Sequence, residues 1–208
     1  VADINAFAIG AAMVDPRVKI YLDWSGSRNS SWEELLERED IRVISGLEMI
    51  RPRQASREYG LYCRDENGMV HNLCAPLNNW GKFYERLLRP IVRGTASLKD
   101  RQENRSLNFY WGMATGAVEL ILSKHIPFYS RKTAERLVDA IMSGYINPFD
   151  GEIHSQEGMI KGPKAPRFSS REIISMDWLN DNVIGSIPSL EELTDEAREL
   201  VAVSGIDT

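Results

Sequence analysis

The sequence predicts an α/β fold in which a parallel sheet is covered by helices. Strand-like and helix-like segments alternate through the first third of the chain, and short loops connect them. The apolar residues of "VKIYLD" (18–23) alternate as in a strand, whereas those of "DINAFAIGAAMV" (3–14) recur at helical spacing. Strands that alternate with helices in this way are typical of a parallel sheet.

The first elements can be predicted in chain order. A first helix ends at Asp15-Pro16, and a capping box at Ser31–Glu34 opens a second one. The remaining predicted elements of this part are a strand "IRVIS" (41–45), a helix "PRQASREYG" (52–60) closed by Gly60, and a strand starting at "LYC" (61–63). Each strand end leads into a polar loop.

A two-residue turn at Asn67-Gly68 predicts a hairpin. In that register Cys63 faces Asn72 and Cys74 faces Leu61. The two cysteines are then diagonal neighbours about 7–8 Å apart, at or past the limit for a disulfide. We therefore expect free thiols.

The rest of the chain continues with helices, strands and a second hairpin. "NNWGKFYERLLRPIVRG" (78–94) predicts a helix that Pro90 kinks, and "SRKTAERLVDAIMSG" (130–144) predicts another. Further predictions are strands within "LNFYWGMATGAVELIL" (107–122), a hairpin around Asp150-Gly151 with a turn at Glu157-Gly158, a capped helix from Ser169 to Gly185 that includes Trp178, and an acidic helix after Thr194.

Composition and motifs exclude several classes of function. The net charge of −5 argues against nucleic acid as a partner, because phosphate binding needs a clustered basic surface. No apolar run approaches the roughly 18 residues of a membrane span. The three histidines lack metal-ligand spacing, and neither a nucleophile elbow nor a phosphate loop is present. We expect no enzyme activity, no catalytic residue, no metal and no cofactor.

Polar and aromatic residues gather where the predicted strands end. In a parallel sheet these ends would lie side by side, and ring faces beside carboxylates suit a sugar-bearing heterocycle. The candidate ligand-binding residues are Trp24, Ser25, Gly46, Glu48, Asp65, Glu66, Asn78 and Trp80. A structural alternative stays open: Trp24 and Trp80 pack a core, and Asp65-Glu66 serve the hairpin turn.

Five segments in order resemble the basic-membrane-protein family of ABC-transporter substrate-binding proteins, of the type that binds purine nucleosides. The segments are "INAFAIGAAMVDPRVKIYLDW", "NNWGKFYERLLRPIVRGT", "YWGMATGAVEL", "MSGYINPFDGEIHSQEGMI" and "IISMDWLNDNVIGSIP". The resemblance implies a type I periplasmic-binding-protein fold with a three-layer α/β/α lobe. Residues 1–78 would be the α/β core of the C-terminal lobe, and residues 79–208 the interlobe helix, hinge crossing and return segment.

The resemblance also implies a function. The chain would be part of a solute-binding protein that takes a nucleoside-like ligand to an ABC permease, as a lipoprotein on the outer face of the cell membrane. Most of the N-terminal lobe would be missing, in keeping with the absent initiator Met. The alternative is a ligand-sensing regulatory domain of the same fold, located in the cytoplasm.

Family binding residues carry over only in part. The family's acidic residue for the ribose hydroxyls matches Asp65 first and Glu66 second. The glycine before it and the serine after it in the family's motif are not found at the matching positions of "CRDENG". The position of a family lysine matches Asn78, and the loop that faces the base in the family matches residues 46–49. These departures bear on which ligand is bound.

Overall fold

The structure is a computed structural model that describes residues 1–46, 58–94 and 111–203. The chain forms two compact units. The first unit joins Val1–Ile41 to Asn147–Thr208, and the second is Arg42–Ile146. The boundary expected between residues 78 and 79 lies inside the second unit, and the lobe assignments of the two segments stay predictions.

Of the described residues, most of those that are buried belong to the first unit. Its elements are α1 (Ala2–Val14), β1 (Ile20–Tyr21), α2 (Trp32–Arg38), β6 (Ile153–Ser155), β7 (Gly158–Lys161), α5 (Ser170–Ile174), β8 (Val183–Ile184) and α6 (Asp195–Val203). One cluster around Phe149, Ile153 and Ile173 packs under α1, and a second joins Ala8 to Leu179 and Val183. The Ala/Gly-rich sequence of α1 allows this close approach, because small side chains let backbones come near.

A buried amide network fastens α1 to the segment before β8. Asn5 is fully buried: its Nδ2 donates to the Trp178 carbonyl at 2.7 Å, and its Oδ1 accepts from the Asn180 amide at 2.9 Å. Asn182 Nδ2 donates to the Ala8 carbonyl at 3.0 Å, and Asn180 Nδ2 donates to Asn182 Oδ1 at 2.8 Å. Because each buried amide has partners, the network avoids the cost of unsatisfied polar groups.

The α/β class is confirmed, and the direction of the main sheet is a correction. The only parallel pairing within the described ranges is the short one between β1 and β8. The second unit holds an antiparallel sheet in the order β2-β3-β4-β5, made of β2 (Val43–Gly46), β3 (Gly60–Arg64), β4 (Val70–Asn78) and β5 (Val118–Leu122). A five-residue turn joins β3 to β4, and a parallel pair would need a much longer crossover.

The antiparallel register separates the strand ends that were expected side by side. Gly46, at the end of β2, lies opposite Gly60, at the start of β3. Strand β3 ends at Arg64, which lies at the other end of this strand pair. β1 belongs to a sheet of the other unit. The expected row of three carboxyl ends is therefore wrong. Glu48 and most of the helix predicted at 52–60 lie outside the described residues, and Gly60 begins β3 rather than closing a helix.

The predicted hairpin is confirmed, with one change of register. Cys74 lies opposite Leu61 as expected, but Cys63 lies opposite His71 instead of Asn72. An irregularity between Leu61 and Tyr62 absorbs one extra residue of β4. Both cysteines are free, as expected.

Among its described residues, the second unit also contains helices α3 (Trp80–Val92) and α4 (Phe128–Met142). The Ser169 capping box forms, but its helix ends at Ile174, so the extension through Trp178 to Gly185 was wrong. In this segment the Trp178 carbonyl and the Asn180 amide hydrogen-bond to the Asn5 side chain, and Val183–Ile184 form β8. The hairpin expected around Asp150 is also wrong: that carboxylate pairs with Arg167 at 2.7 Å, and β6 turns into β7 at residues 156–157.

Among the described residues, no helix combines the length and the apolar character that crossing a bilayer requires. The acidic helix expected after Thr194 is confirmed as α6. Of the region 107–122 that was predicted to contain strands, residues 107–110 lie outside the described residues, and β5 confirms a strand at Val118–Leu122.

We predict that Asn5→Ala destabilises the first unit by about 2–4 kcal/mol, because the part-buried Trp178 carbonyl and the buried Asn180 amide lose their hydrogen bonds to Asn5. Urea unfolding of the two proteins measures the change. The control is Asn29→Ala at an exposed loop position, which should leave the urea midpoint unchanged. Equal midpoints for Asn5→Ala and the unmodified protein would contradict the role of the network.

Candidate functional site

Trp24 and Ser25 lie in the first unit, in a loop that the C-terminal segment holds in place. The Trp24 indole N–H donates to the Ser186 carbonyl at 2.9 Å, and Ser25 is exposed. The Gly26 carbonyl accepts from the Thr194 amide at 2.8 Å, and the Arg28 guanidinium reaches the Leu193 carbonyl at 2.9 Å. The polar atom of Trp24 is therefore already used within its own unit.

Asp65 and Glu66 lie in the turn between β3 and β4. Asp65 Oδ1 accepts from the backbone amides of Asn67 and Met69, both at 2.9 Å, and its Oδ2 lies 3.0 Å from His71 Nε2. The hydrogen bond to His71 is the largest cause that holds the pKa of Asp65 below its ordinary value. Glu66 points into solvent with 89% of its side chain exposed. These contacts favour the structural alternative, in which the pair serves the turn.

Asn78 and Trp80 lie at the opposite end of β4 from that turn. β4 runs from Val70 to Asn78, and eight steps along a strand cover about 26 Å. A ligand the size of a nucleoside therefore cannot contact both Asp65 and Asn78 within this unit. Gly46, opposite Gly60, lies nearer the Asn78 edge of the sheet.

Asn79, directly after β4, joins the start of α3 to the start of β5. Its backbone amide donates to the Ala117 carbonyl at 2.8 Å. Its side-chain Oδ1 caps α3 by accepting from the Lys82 amide at 3.1 Å, and its Nδ2 donates to Glu119 Oε1 at 3.0 Å. One residue thus satisfies the helix terminus and orients a carboxylate of the neighbouring strand.

Lys82 completes a polar cluster with Asn79 and Glu119. The Lys82 ammonium donates to Glu119 Oε1 at 2.7 Å, the same oxygen that Asn79 uses. Gly116, with a φ of +73°, lies against the lysine stem, and a Cβ there would come within 3.2 Å of Lys82 Cδ. A side chain at position 116 would therefore strain the backbone and crowd the lysine.

Aromatic side chains surround the first turn of α3. The ring centroids of Phe83 and Trp111 are 5.2 Å apart, and those of Trp80 and Phe83 are 5.8 Å apart. Tyr84 adds a third contact, with its centroid 5.5 Å from that of Phe83. Trp80 remains exposed, so its ring offers a face to a planar ligand. Two segments that are separate in the chain, 78–84 and 111–119, thus meet at one place.

The cluster is charged at neutral pH. The hydrogen bond from Lys82, followed by that from Asn79, lowers the pKa of Glu119, and the charge of Lys82 adds to the effect. An ionised carboxylate only accepts hydrogen bonds, and neither contact uses its Oε2. The cluster therefore combines an acceptor for N–H or O–H groups with an ammonium donor, and the segments that carry it also carry the aromatic rings of Trp80, Phe83 and Trp111.

Of the candidate residues predicted from the sequence, Asn78 and Trp80 flank Asn79 in the chain, whereas Asn79, Lys82 and Glu119 were not predicted. The available signal was that the two conspicuous segments "NNWGKFYE" and "YWGMATGAVE" both contain Trp-Gly and both end in an acidic residue. Within the described ranges, no group of three His, Cys, Asp or Glu is arranged to hold a metal ion.

Comparison with known proteins identifies one curated relative. The chain is similar to a purine-binding protein of Brucella abortus. The two are 26% identical over 201 residues, which covers 90% of this chain. The chain spans about half (55%) of the length of that relative. No family model matches the chain.

We predict that Glu119→Gln lowers the stability of the second unit at neutral pH, and that the difference disappears in acid. Because the folded-state pKa is depressed, the stabilisation is fully present above about pH 4.5, the ordinary pKa of Glu. It is lost as the pH falls through the depressed value. Thermal unfolding of both proteins at pH values from roughly 2 to 7 measures the difference in stability, because this range brackets the titration of a carboxyl group.

The control for this prediction is Glu157→Gln at an exposed turn position of the first unit. The control should track the unmodified protein at every pH. A constant difference between Glu119→Gln and the unmodified protein from neutral to acid pH would contradict the proposed ion pair.

Proposed function

We propose that this chain is part of a solute-binding protein whose ligand is a purine base or purine nucleoside. The observation that carries the proposal is that segments 79–84 and 111–119 meet, joined by the hydrogen bonds of Asn79 and Lys82 to Glu119 and by the ring contact between Phe83 and Trp111. A purine presents a flat π face together with N–H donors and ring acceptors. The similarity to a protein named as purine-binding supports the same class of ligand.

The binding mode follows from the polarity of the cluster. Glu119 Oε2 accepts from an N–H of the base or from a hydroxyl of the sugar, and the Lys82 ammonium donates to a ring nitrogen or carbonyl. The exposed ring of Trp80 stacks on the heterocycle. No covalent step is involved, and we assign no enzyme activity, no metal and no cofactor.

The transport role is a proposal for the longer protein. We infer a second lobe, corresponding to the part of the relative that this chain does not span, that closes over the ligand and excludes water. The fold would be of the type I periplasmic-binding class. The ligand would pass to an ABC permease, and the protein would be a lipoprotein on the outer face of the membrane.

The alternative is a ligand-sensing regulatory domain of the same fold, working in the cytoplasm. The two free cysteines are compatible with a reducing compartment. A lipoprotein signal at the start of the full-length protein would favour transport, and a DNA-binding segment there would favour sensing.

We predict that purines raise the melting temperature of the full-length protein, because a ligand that binds only the folded state stabilises it by mass action. Adenine, guanine, hypoxanthine and their nucleosides are compared with pyrimidine nucleosides and simple sugars in a thermal-shift assay. An increase restricted to purine compounds supports the proposal. A cooperatively folding protein that responds to none of them refutes it.

Two variants decide which cluster holds the ligand. Glu119→Gln should weaken purine binding roughly tenfold or more, because a hydrogen bond to a charged group is lost. Asp65→Ala should leave the affinity within about twofold, because position 65 lies about 26 Å from Asn78 along β4. The control Glu135→Gln removes an ion pair on α4 and should also leave the affinity within about twofold. Calorimetric titration measures all three. A loss of binding in Asp65→Ala but not in Glu119→Gln would move the site to the hairpin.

A further inference from the structure

The chain contains a single Asn-Gly pair, Asn67-Gly68, which lies in the turn between β3 and β4. Asparagine is a thermolabile residue, and a glycine after it favours deamidation because glycine has no Cβ to shield its backbone nitrogen. Both residues are exposed. Apart from its chain neighbours, no atom lies within 4 Å of the point that a Cβ on Gly68 would occupy. The turn therefore leaves open space around the two groups that would react.

The other asparagines within the described ranges are less well placed for this reaction. Asn147 precedes Pro148, which has no N–H and so no nucleophilic nitrogen. Asn29 and Asn78 are exposed, but the residue after each of them carries a Cβ. Hydrogen bonds hold the side-chain amides of the remaining ones, which are Asn5, Asn72, Asn79, Asn180 and Asn182.

We propose that Asn67 is the residue at which this protein deamidates, and that the Asp65 carboxylate sets the rate by holding the turn closed. The backbone nitrogen of Gly68 attacks the side-chain carbonyl carbon of Asn67, and the bond from that carbon to the side-chain nitrogen breaks. The proton lost by Gly68 leaves with the ammonia, and a cyclic succinimide remains. Water then opens the ring at either carbonyl, which gives aspartate or isoaspartate at position 67.

Hydrogen bonds of the turn oppose this reaction. The Gly68 N–H, whose nitrogen is the nucleophile, donates to the Asp65 carbonyl at 2.9 Å. Asp65 Oδ1 accepts from the backbone amides of Asn67 and Met69, both at 2.9 Å. The Gly68 nitrogen is released only when these bonds open, so the rate depends on a local opening equilibrium.

The two products differ in their effect on the hairpin. Aspartate keeps the backbone unchanged, whereas in isoaspartate the backbone runs through the side chain and gains one methylene before Gly68. The turn is closed by the Gly68 bond and by the Asp65 amide, which donates to the Met69 carbonyl at 3.1 Å. The longer backbone misplaces both pairs of atoms. We therefore expect isoaspartate to weaken the end of the hairpin.

The modification site is separate from the ligand cluster, so the two proposals can fail independently. The turn precedes Val70, the first residue of β4, whereas the cluster begins after Asn78, its last residue. Conversion of Asn67 should leave purine binding unchanged. The deamidation proposal goes beyond ligand binding and holds whether or not a purine is the ligand.

The test is peptide mapping by mass spectrometry of the full-length protein after incubation in neutral buffer, with isoaspartate detected by enzymatic methylation. We expect Asn67 to convert before any other asparagine. Asp65→Ala should convert roughly tenfold faster, since losing a hydrogen bond to a charged group changes the opening equilibrium by about that factor. Asp65→Asn keeps the acceptor oxygen without its charge and should convert at an intermediate rate.

Two further variants are controls. Glu66→Ala removes the neighbouring carboxylate, which is 89% exposed, and should convert at the rate of the unmodified protein. Asn67→Ser has no side-chain amide and should remove the isoaspartate signal, and circular dichroism confirms that each variant is folded. Earlier conversion at another asparagine, an Asn67 that stays intact in the folded protein but converts in urea, or equal rates for the Asp65 variants and the unmodified protein would each overturn the proposal.

Discussion

One asparagine, Asn79, holds together the part of the protein on which the proposed function depends. Its amide fixes the end of β4 to Ala117, its Oδ1 starts α3, and its Nδ2 orients Glu119. Only a side chain with both an acceptor and a donor can do this: aspartate would cap the helix but repel the Glu119 carboxylate, and serine is too short to span both contacts. The ligand cluster is a consequence of how this helix begins.

The first unit uses the same chemistry for a structural purpose. Asn5, Asn180 and Asn182 replace apolar contacts with neutral amides that bridge backbone groups, which costs less than burying charge. Lys161 is the exception, since its buried ammonium donates to the Phe149 carbonyl at 2.6 Å and lies over the Phe168 ring. The asparagine hydrogen bonds and the Lys161 hydrogen bond both hold irregular segments in place, where regular backbone hydrogen bonds are few.

Local signals in the sequence predicted most elements but not their mutual arrangement. The capping box at Ser169 forms, whereas the same pattern at Ser31 does not, because the Ser31 amide donates to Asp23 and the side chain is left without a capping contact. Strand direction depends on which strands meet, so the parallel sheet was wrong although its strands exist. Asp65 holds the turn through its contacts with Asn67 and Met69, and the same feature, a carboxylate placed after a strand, is what predicts a ligand contact there. Glu119 was missed because its partners Asn79 and Lys82 are about 40 residues away along the chain.

The central claim is that a purine binds where α3 begins beside β5. Hydrogen–deuterium exchange of the full-length protein, with and without saturating purine, tests it most directly because it locates the contact without mutation. The account predicts that protection increases in peptides covering residues 79–84 and 111–119, and that peptides of the hairpin turn at 64–70 are unchanged. Protection confined to the hairpin turn, or to the Trp24 loop alone, would contradict it.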